Sequence, residues 1–175
     1  MTTLVLPEQL VKTEVVENIF MSIPMDFRPM TDDEIAGKYF SMQRPVSLYT
    51  DYNQLVDIGV NKSVSNWPEQ DLTIMMSFQK SNIYNLYDKV EMISEGSKEV
   101  NKRQFAYFEF VSTVNADKDS FKNKTAIVKY TYIQYVIYKG QTWVFNFTCP
   151  ASMKDKWQAD AAKIMNSVII KGAAK

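Results

Sequence analysis

The sequence contains no histidine, and this absence excludes a large part of enzyme chemistry. Without histidine there is no Ser-His or Cys-His nucleophile pair and no His-ligated zinc or iron site. The one cysteine, Cys149, excludes an internal disulfide, a Cys-X-X-Cys redox motif and a zinc ribbon. It lies in an apolar strand pattern without a cationic neighbour, so we interpret it as a buried small hydrophobic residue and not as a reactive thiol.

Glycine and arginine are also scarce. The five glycines are too far apart for a phosphate-binding loop of the GxGxxG or the Walker type. The 20 basic residues, which include three arginines, balance the 20 acidic ones, whereas nucleic-acid binders carry a dominant basic patch. Ser77 and Lys80 have the spacing of an acylating Ser-X-X-Lys pair, but the accompanying motifs are missing, and we interpret them as part of a solvated helix face. We therefore expect no nucleic-acid partner and no cofactor or metal.

Long apolar runs are missing as well. No run of 18 apolar residues is present, and the N-terminus lacks the basic and apolar regions of a signal peptide. These features predict a cytoplasmic protein without a membrane span. Because no repeat or flexible linker divides the chain, we expect a single domain over residues 12–171, preceded by an N-terminal extension over residues 1–11.

Capping-box signatures predict three helices, over residues 32–39, 67–88 and 153–168. The signatures are Thr31…Glu34, Asn66…Glu69 and Ser152…Asp155. Apolar residues recur at three and four positions in the second and third helices, which predicts one buried face on each. That of the second helix comprises Leu72, Met75, Met76, Gln79, Ile83 and Leu86. We expect Trp157 to anchor the third helix.

The segments between the helices have the period of two that is typical of strands. One predicted strand covers residues 15–23, and Lys139-Gly140 predicts a tight turn between two long strands. Residues 105–111 and 130–138 are apolar on both faces, which predicts a sheet covered on both sides. The sequence therefore predicts an α+β, three-layer sandwich in which helices cover both faces of a mainly antiparallel sheet.

The order of these segments resembles the PsbP-like superfamily, which includes the DcrB-like bacterial proteins and the Ran-binding Mog protein. The resemblance covers nearly the whole chain, from the Ile23–Met30 segment through the Lys102–Phe110 segment to Phe147–Pro150 and the helix with Trp157. It implies an antiparallel sheet between helical layers. It also implies a non-enzymatic binding or assembly factor. Metal sites of the photosystem members involve histidine, so no metal is carried over.

The segment from Phe27 to Tyr49 is the predicted partner-binding surface. It combines arginine, tyrosine and methionine, which are enriched at protein interfaces, with loops and a short helix beside a rigid sheet. The candidate residues are Arg28, Met30, Tyr39, Met42 and Arg44, and of these Met30, Tyr39 and Met42 are expected to be exposed. For the arginines, structural pairing with an acid of residues 32–34 is the favoured interpretation, and contact with a partner or ligand is the alternative.

These observations favour a non-enzymatic protein-binding module, an adaptor or a chaperone-like accessory of secretion or assembly. The alternative is a protein that binds a small ligand or an apolar segment in a groove between sheet and helix lined by methionine and tyrosine. The identity of the partner stays open, and so does homodimer formation.

Overall fold

The computed structural model describes residues 9–39, 44–116 and 125–172, and these residues form ten strands and three α-helices. The strands are β1 (Leu10–Val16), β2 (Ile19–Pro24), β3 (Arg28–Pro29), β4 (Ser47–Thr50), β5 (Asp57–Lys62), β6 (Lys89–Val100), β7 (Arg103–Val114), β8 (Ile127–Tyr138), β9 (Gln141–Pro150) and β10 (Ile169–Ile170). The helices are α1 (Asp32–Lys38), α2 (Leu72–Leu86) and α3 (Lys154–Met165).

Seven strands form one antiparallel sheet in the order β3-β4-β5-β9-β8-β7-β6. The strand order brings the last long strand, β9, between β5 and β8. The predicted turn between β8 and β9 is confirmed, since Lys139 and Gly140 both have positive φ, at 51° and 74°. Two consecutive left-handed residues give the turn a twist that matches that of the flanking strands.

A second, three-stranded sheet has the order β1-β2-β10 and was not predicted. The prediction of one continuous strand over residues 15–23 is wrong, because the chain turns back at Glu17–Asn18 and Asn18 adopts φ 66°. Asparagine tolerates this left-handed conformation better than most residues, so no glycine marks the turn. β1 begins at Leu10, within the segment that the sequence predicts as an extension.

The large sheet is covered on both faces, which confirms the predicted three-layer α+β architecture. Helix α3 and the small sheet pack on one face, where Trp157, Ile164 and Met21 join Phe105 and Phe147 in the main core. Helix α2 packs on the other face, where its buried side chains meet Phe108, Phe110 and Tyr135 in a second core. Neighbouring residues along β7 and β8 thus enter opposite cores, and this explains their unbroken apolar sequence.

Of the three predicted capping boxes, one is present at the N-terminus of its helix. Thr31 caps α1 as predicted: its hydroxyl accepts from the amide of Glu34 at 3.2 Å, and the Glu34 carboxylate accepts from the amide of Thr31 at 3.0 Å. The other two capping boxes are wrong, because 3-10 turns at Glu69–Asp71 and Ala151–Met153 precede α2 and α3. Pro68 disfavours helical backbone at the preceding residue, Trp67, so α2 cannot begin directly after Asn66. Ser152 lies within the Ala151–Met153 turn and therefore cannot serve as the N-cap of α3.

Candidate functional site

The predicted partner surface around α1 is held together by ion pairs within the chain. Both guanidinium nitrogens of Arg28 donate to the Glu34 carboxylate, at 2.8 and 2.7 Å. This paired geometry is the one that the arginine fork favours. The hydrogen bonds from Arg28, followed by those from Thr31, lower the pKa of Glu34 from 4.5 to about 2. Glu34 thus braces the entry of α1 and caps it at the same time.

Arg44 pairs with Asp32 at 2.6 Å, so both candidate arginines contact acids of the predicted 32–34 group. These contacts agree with the favoured interpretation, in which the two arginines pair with acids of the same chain. Both arginine side chains stay partly exposed, at 42% for Arg28 and 44% for Arg44. A role of either arginine in partner binding stays a prediction.

The other candidates of this surface differ in burial. Tyr39 donates its hydroxyl to Asp57 at 2.7 Å, and burial together with the carboxylate raises the pKa of Tyr39. Lys38 pairs with the same carboxylate at 2.7 Å, which fastens the end of α1 to β5. The expectation that Met30 is exposed is wrong, since it is 6% exposed and packs in a small core beneath α1. Met42 lies outside the described residues.

A second surface, which was not among the predicted sites, is the outer face of α2. Of the 15 residues of this helix, Lys80 is the one with a charge, and it pairs with Glu95 of β6 at 2.8 Å. Lys80 is therefore engaged with the sheet, and nothing supports an acylating pair with Ser77. The remaining outward positions carry serine, threonine, asparagine and exposed apolar side chains.

Four large side chains of α2 are exposed: Ile74 at 58%, Phe78 at 44%, Tyr84 at 45% and Leu86 at 63%. Ile74 and Phe78 are one helical turn apart and so lie side by side. The ring of Trp67, which precedes the helix and packs against the second core, lies 5.6 Å from the ring of Phe78. We call Trp67, Ile74, Phe78 and Tyr84 the α2 face.

The prediction for α2 was correct for its centre and wrong at its end. Met75, Gln79 and Ile83 are buried as expected, whereas Leu86 points to solvent. Ile74 and Phe78 lie off the predicted stripe. Two large apolar residues on the side of a helix that should be polar were the signal for this surface in the sequence.

A third feature is a polar cluster around Lys98, between the sheet and α3. The Lys98 ammonium donates to the Tyr132 hydroxyl at 2.6 Å and to Asn166 Oδ1 at 2.9 Å. It also lies 4.7 Å from the ring centre of Tyr132 and 5.1 Å from that of Tyr107. Burial lowers the pKa of Lys98 from 10.5 to about 8, although the negative charge of Glu109 acts in the opposite direction.

Glu109 is the acidic member of this cluster and is itself buried. Its Oε2 atom accepts from the Tyr130 hydroxyl and, at 3.0 Å, from Gln158 Nε2 of α3. These residues come from three strands and a helix, at positions 98, 109, 130 and 158, and are far apart in the sequence. No local motif announces such a cluster.

Cys149 is buried in the main core, as predicted, and burial raises the pKa of its thiol to about 12. In the part of the chain that the structure describes, no cluster of three or more acidic or cysteine side chains is placed to hold a metal ion. No described helix has both the length and the hydropathy needed to cross a membrane.

Similarity to known proteins is found by comparison of structures and not of sequences. No family model matches the sequence, and no curated protein is significantly similar to it. The solution structure of the cyanobacterial PsbP protein CyanoP, from Synechocystis, matches with a TM-score of 0.63 over 98% of both chains, at 9% sequence identity. The chain has the PsbP-like fold. The resemblance noted in the sequence is thereby confirmed at the level of fold.

Two further solved structures support the PsbP-like fold. The Ran-binding protein Mog1p of Saccharomyces cerevisiae matches with a TM-score of 0.57 and 11% identity, over 94% of this chain and 96% of its own. LpqN of Mycobacterium tuberculosis, which is involved in cell envelope biogenesis, matches with a TM-score of 0.55 and 12% identity, over 88% and 83%. On this PsbP-like fold, the α2 face and the Lys98 cluster lie on opposite sides of the large sheet.

Proposed function

We propose that the protein is a non-enzymatic protein-binding module, an adaptor or chaperone-like accessory, and that its partner docks on the α2 face. The observation that carries the proposal is the lack of free charge on the outer side of α2, together with its exposed large apolar side chains. The partner we expect presents a complementary apolar, uncharged surface.

The composition of this helix is unusual for a face in contact with water. A surface helix ordinarily carries charged residues on its outer side, and these keep the molecule soluble. The cores of protein interfaces show the opposite composition, with aromatic residues enriched and lysine, glutamate and aspartate depleted. About half of each side chain is still exposed, so burying Ile74 and Phe78 against a partner would contribute about 0.7–1.5 kcal/mol each. The ring of Trp67 packs against that of Phe78 in a tilted arrangement, which holds Phe78 in place on this face.

The comparisons support protein binding as a use of this fold. Mog1p is described as a Ran-binding protein, and it covers 94% of this chain. At 11% sequence identity, the similarity to Mog1p supports the same fold but not the same partner. The α2 face is argued from this chain alone. The surface formed by Arg28, Tyr39 and Arg44 is the rival docking site.

Site-specific photo-crosslinking in cells of the native host separates the two surfaces. A photoreactive phenylalanine analogue is placed at Phe78 in one variant, at Arg44 in a second and at Tyr52 in a control. Tyr52 is 91% exposed and lies outside the α2 face, in the loop whose Gln54 carbonyl oxygen accepts from Lys38 of α1. We expect a discrete crosslinked product from position 78, identified by mass spectrometry, and none from position 52.

Binding of the partner identified in this product is then tested with purified proteins. Ile74→Ser with Phe78→Ser should abolish binding of the identified partner in calorimetry, and Tyr52→Ser should leave it unchanged. Because these side chains are exposed, melting temperatures should stay within a few degrees. A product of twice the chain mass that contains this sequence alone would make the partner a second copy. Crosslinking from position 44 and not from position 78 would contradict the α2 face.

A further inference from the structure

We propose that one end of the large sheet is a docking surface for an anionic lipid bilayer. Strands β5, β6 and β8 end there, and β7 and β9 begin there. Five basic residues lie at this end or beside it, and we call them the basic end: Lys62, Lys102, Arg103, Lys139 and Lys171. The α2 face takes no part in this surface, so the inference goes beyond the proposed function and does not depend on it.

The strand register brings the basic residues of two turns together. Asn101–Lys102 joins β6 to β7, and Lys139–Gly140 joins β8 to β9. β7 pairs with β8, and the guanidinium carbon of Arg103 lies 4.5 Å from the ring centre of Tyr138. The Lys139 ammonium lies 5.2 Å from the same ring centre. The two turns therefore end at the same level of the sheet and present their charges side by side.

Lys171 and Lys62 extend this charged surface beyond the two turns. Arg103 donates to the carbonyl oxygen of Ile170 at 3.2 Å, so Lys171, the next residue, follows directly beside Arg103. On β5, the Lys62 ammonium lies 5.1 Å from the ring centre of Trp143, the residue of β9 with which Lys62 pairs. The basic end thus reaches from β5 across the sheet to the end of β10.

The charges of the basic end are available for a partner. Among the residues that the structure describes, every side-chain ion pair involves a basic residue from elsewhere in the chain. Lys102, Lys139 and Lys171 are exposed. Acidic residues towards this end of the molecule lie at its flanks, in the β1–β2 turn and on the α2 side of the sheet: Glu17, Glu69, Asp71 and Glu99. A bilayer laid against the two turns would therefore meet the basic end first.

Apolar and aromatic side chains among the cations favour a bilayer over other anionic partners. Val64, in the loop that follows β5, is 98% exposed. The amide of Ser63 donates to the carbonyl oxygen of Thr142 at 2.9 Å, so this loop lies beside the β8–β9 turn. Tyr138 and Trp143 are partly exposed, and tyrosine and tryptophan are enriched where proteins meet the headgroup region of a membrane. An acidic protein or a nucleic acid would use the cations but would leave Val64 without a role.

The strength of the attraction follows from the number of cations. A lysine or arginine close to an anionic bilayer strengthens binding about five-fold, which corresponds to about 1 kcal/mol. An apolar side chain that enters the headgroup region adds to this, and the two kinds of contact together give stable binding where either alone is weak. The loss of two lysines should therefore weaken binding about 30-fold.

Sedimentation with lipid vesicles tests the docking surface. The full chain is mixed, at neutral pH and about 50 mM salt, with vesicles of phosphatidylcholine that contain about 30% phosphatidylserine, or with vesicles of phosphatidylcholine alone. We expect binding to the anionic vesicles and little binding to the neutral ones. Binding should be lost at about 1 M salt, because the Debye length there is about 3 Å.

A pair of double variants tests whether the turns make the contact. Lys102→Asn with Lys139→Asn should weaken binding to the anionic vesicles about 30-fold. Both lysines have positive φ, at 72° and 51°, which asparagine tolerates better, so the fold should be kept. Lys89→Gln with Lys156→Gln removes the same charge from the opposite end, where β6 and α3 begin, and should change binding less than about three-fold.

Two further variants separate the apolar contact from the α2 face. Val64→Ser should weaken binding to the anionic vesicles about three- to ten-fold, since its side chain no longer enters the headgroup region. Ile74→Ser with Phe78→Ser should bind these vesicles as the wild type does, so failure of this proposal and failure of the α2 face can be told apart.

Four results would overturn the proposal. The first is a wild-type protein that does not sediment with the anionic vesicles, including one that binds polyglutamate or single-stranded DNA instead. The second is an equal effect of the two lysine double variants, and the third is unchanged binding of Val64→Ser. The fourth is loss of vesicle binding in the Ile74→Ser, Phe78→Ser variant, which would assign the contact to the α2 face.

Discussion

Trp157 offers a test of how α3 is held on the large sheet. The side chain is 3% exposed and lies between two aromatic rings, with ring centres 5.6 Å from Phe27 and 5.7 Å from Phe147. Its indole Nε1 atom is also buried, and it has no hydrogen-bond partner among the described residues. The residue therefore combines a large stabilising contribution from its ring with the cost of an unpaired donor.

Two substitutions separate these contributions. Trp157→Ala removes the ring and leaves a cavity, so we expect it to lower the free energy of unfolding by about 3–5 kcal/mol. Trp157→Phe keeps a ring between Phe27 and Phe147 and removes the unpaired donor. The relief of about 1–3 kcal/mol offsets most of the lost packing, and the net cost should be below about 1.5 kcal/mol.

Urea unfolding followed by circular dichroism measures both variants without depending on tryptophan fluorescence. The denaturant slopes should stay equal to that of the wild type, so that the midpoints report stability alone. If Trp157→Phe costs as much as Trp157→Ala, the indole N–H is not a liability and the argument fails. A cost of Trp157→Ala below about 1 kcal/mol would show that α3 is held elsewhere.

Three further outcomes follow from the structure. Gly59→Ala should lower the free energy of unfolding by about 1–3 kcal/mol in urea unfolding, since its new Cβ would lie 2.8 Å from Asn146 Oδ1. Gly37→Ala in α1 should raise it by about 0.5–1 kcal/mol, because the new Cβ meets nothing within 4 Å. Equal effects of Gly59→Ala and Gly37→Ala on the free energy of unfolding would contradict this prediction. Hydrogen bonds from Arg28, and next from Thr31, lower the pKa of Glu34 to about 2, so the stability that the ionised carboxylate adds is lost as the pH falls from 4.5 towards 2. Arg28→Ala should therefore lower the melting temperature most above pH 4.5, and its difference from wild type should shrink towards pH 2. A difference that persists unchanged at pH 2 would contradict it. Cys149 should stay unreactive toward a thiol reagent at pH 8 until urea unfolds the protein, and rapid labelling of the native chain would show that the thiol is accessible.

The layered architecture could be predicted because burial leaves a direct mark on the sequence. Residues 105–111 and 130–138 are apolar at odd and even positions alike, and two cores on opposite faces account for both sets. The Arg28–Glu34 pair could be anticipated for a similar reason, since the two residues are close in sequence and the acids begin a helix.

The rest could not be predicted because it depends on tertiary contacts or on local backbone exceptions. The turn at Asn18 lacks the usual glycine, and β10 has two residues, too few for a periodic pattern. Met30 was expected at the surface because a loop segment gives no sign of what packs beneath it. Lys98 depends on Tyr132 and Asn166, which are far away in the chain.

The position of β9 between β5 and β8 has a consequence for how the chain acquires its structure. Asn61 of β5 pairs with Val144 of β9, some eighty positions later, so β3, β4 and β5 can pair with one another but have no link to the rest of the sheet while the chain is being synthesised up to β8. β6, β7 and β8 are consecutive hairpins and can pair as soon as they emerge. The early strands must wait, with apolar residues such as Ile58 and Val60 uncovered. Contacts this distant in sequence slow folding and prolong the exposure of unpaired strand edges. The interval before β9 docks is therefore when a nascent chain of this topology is most exposed to aggregation and gains most from a chaperone.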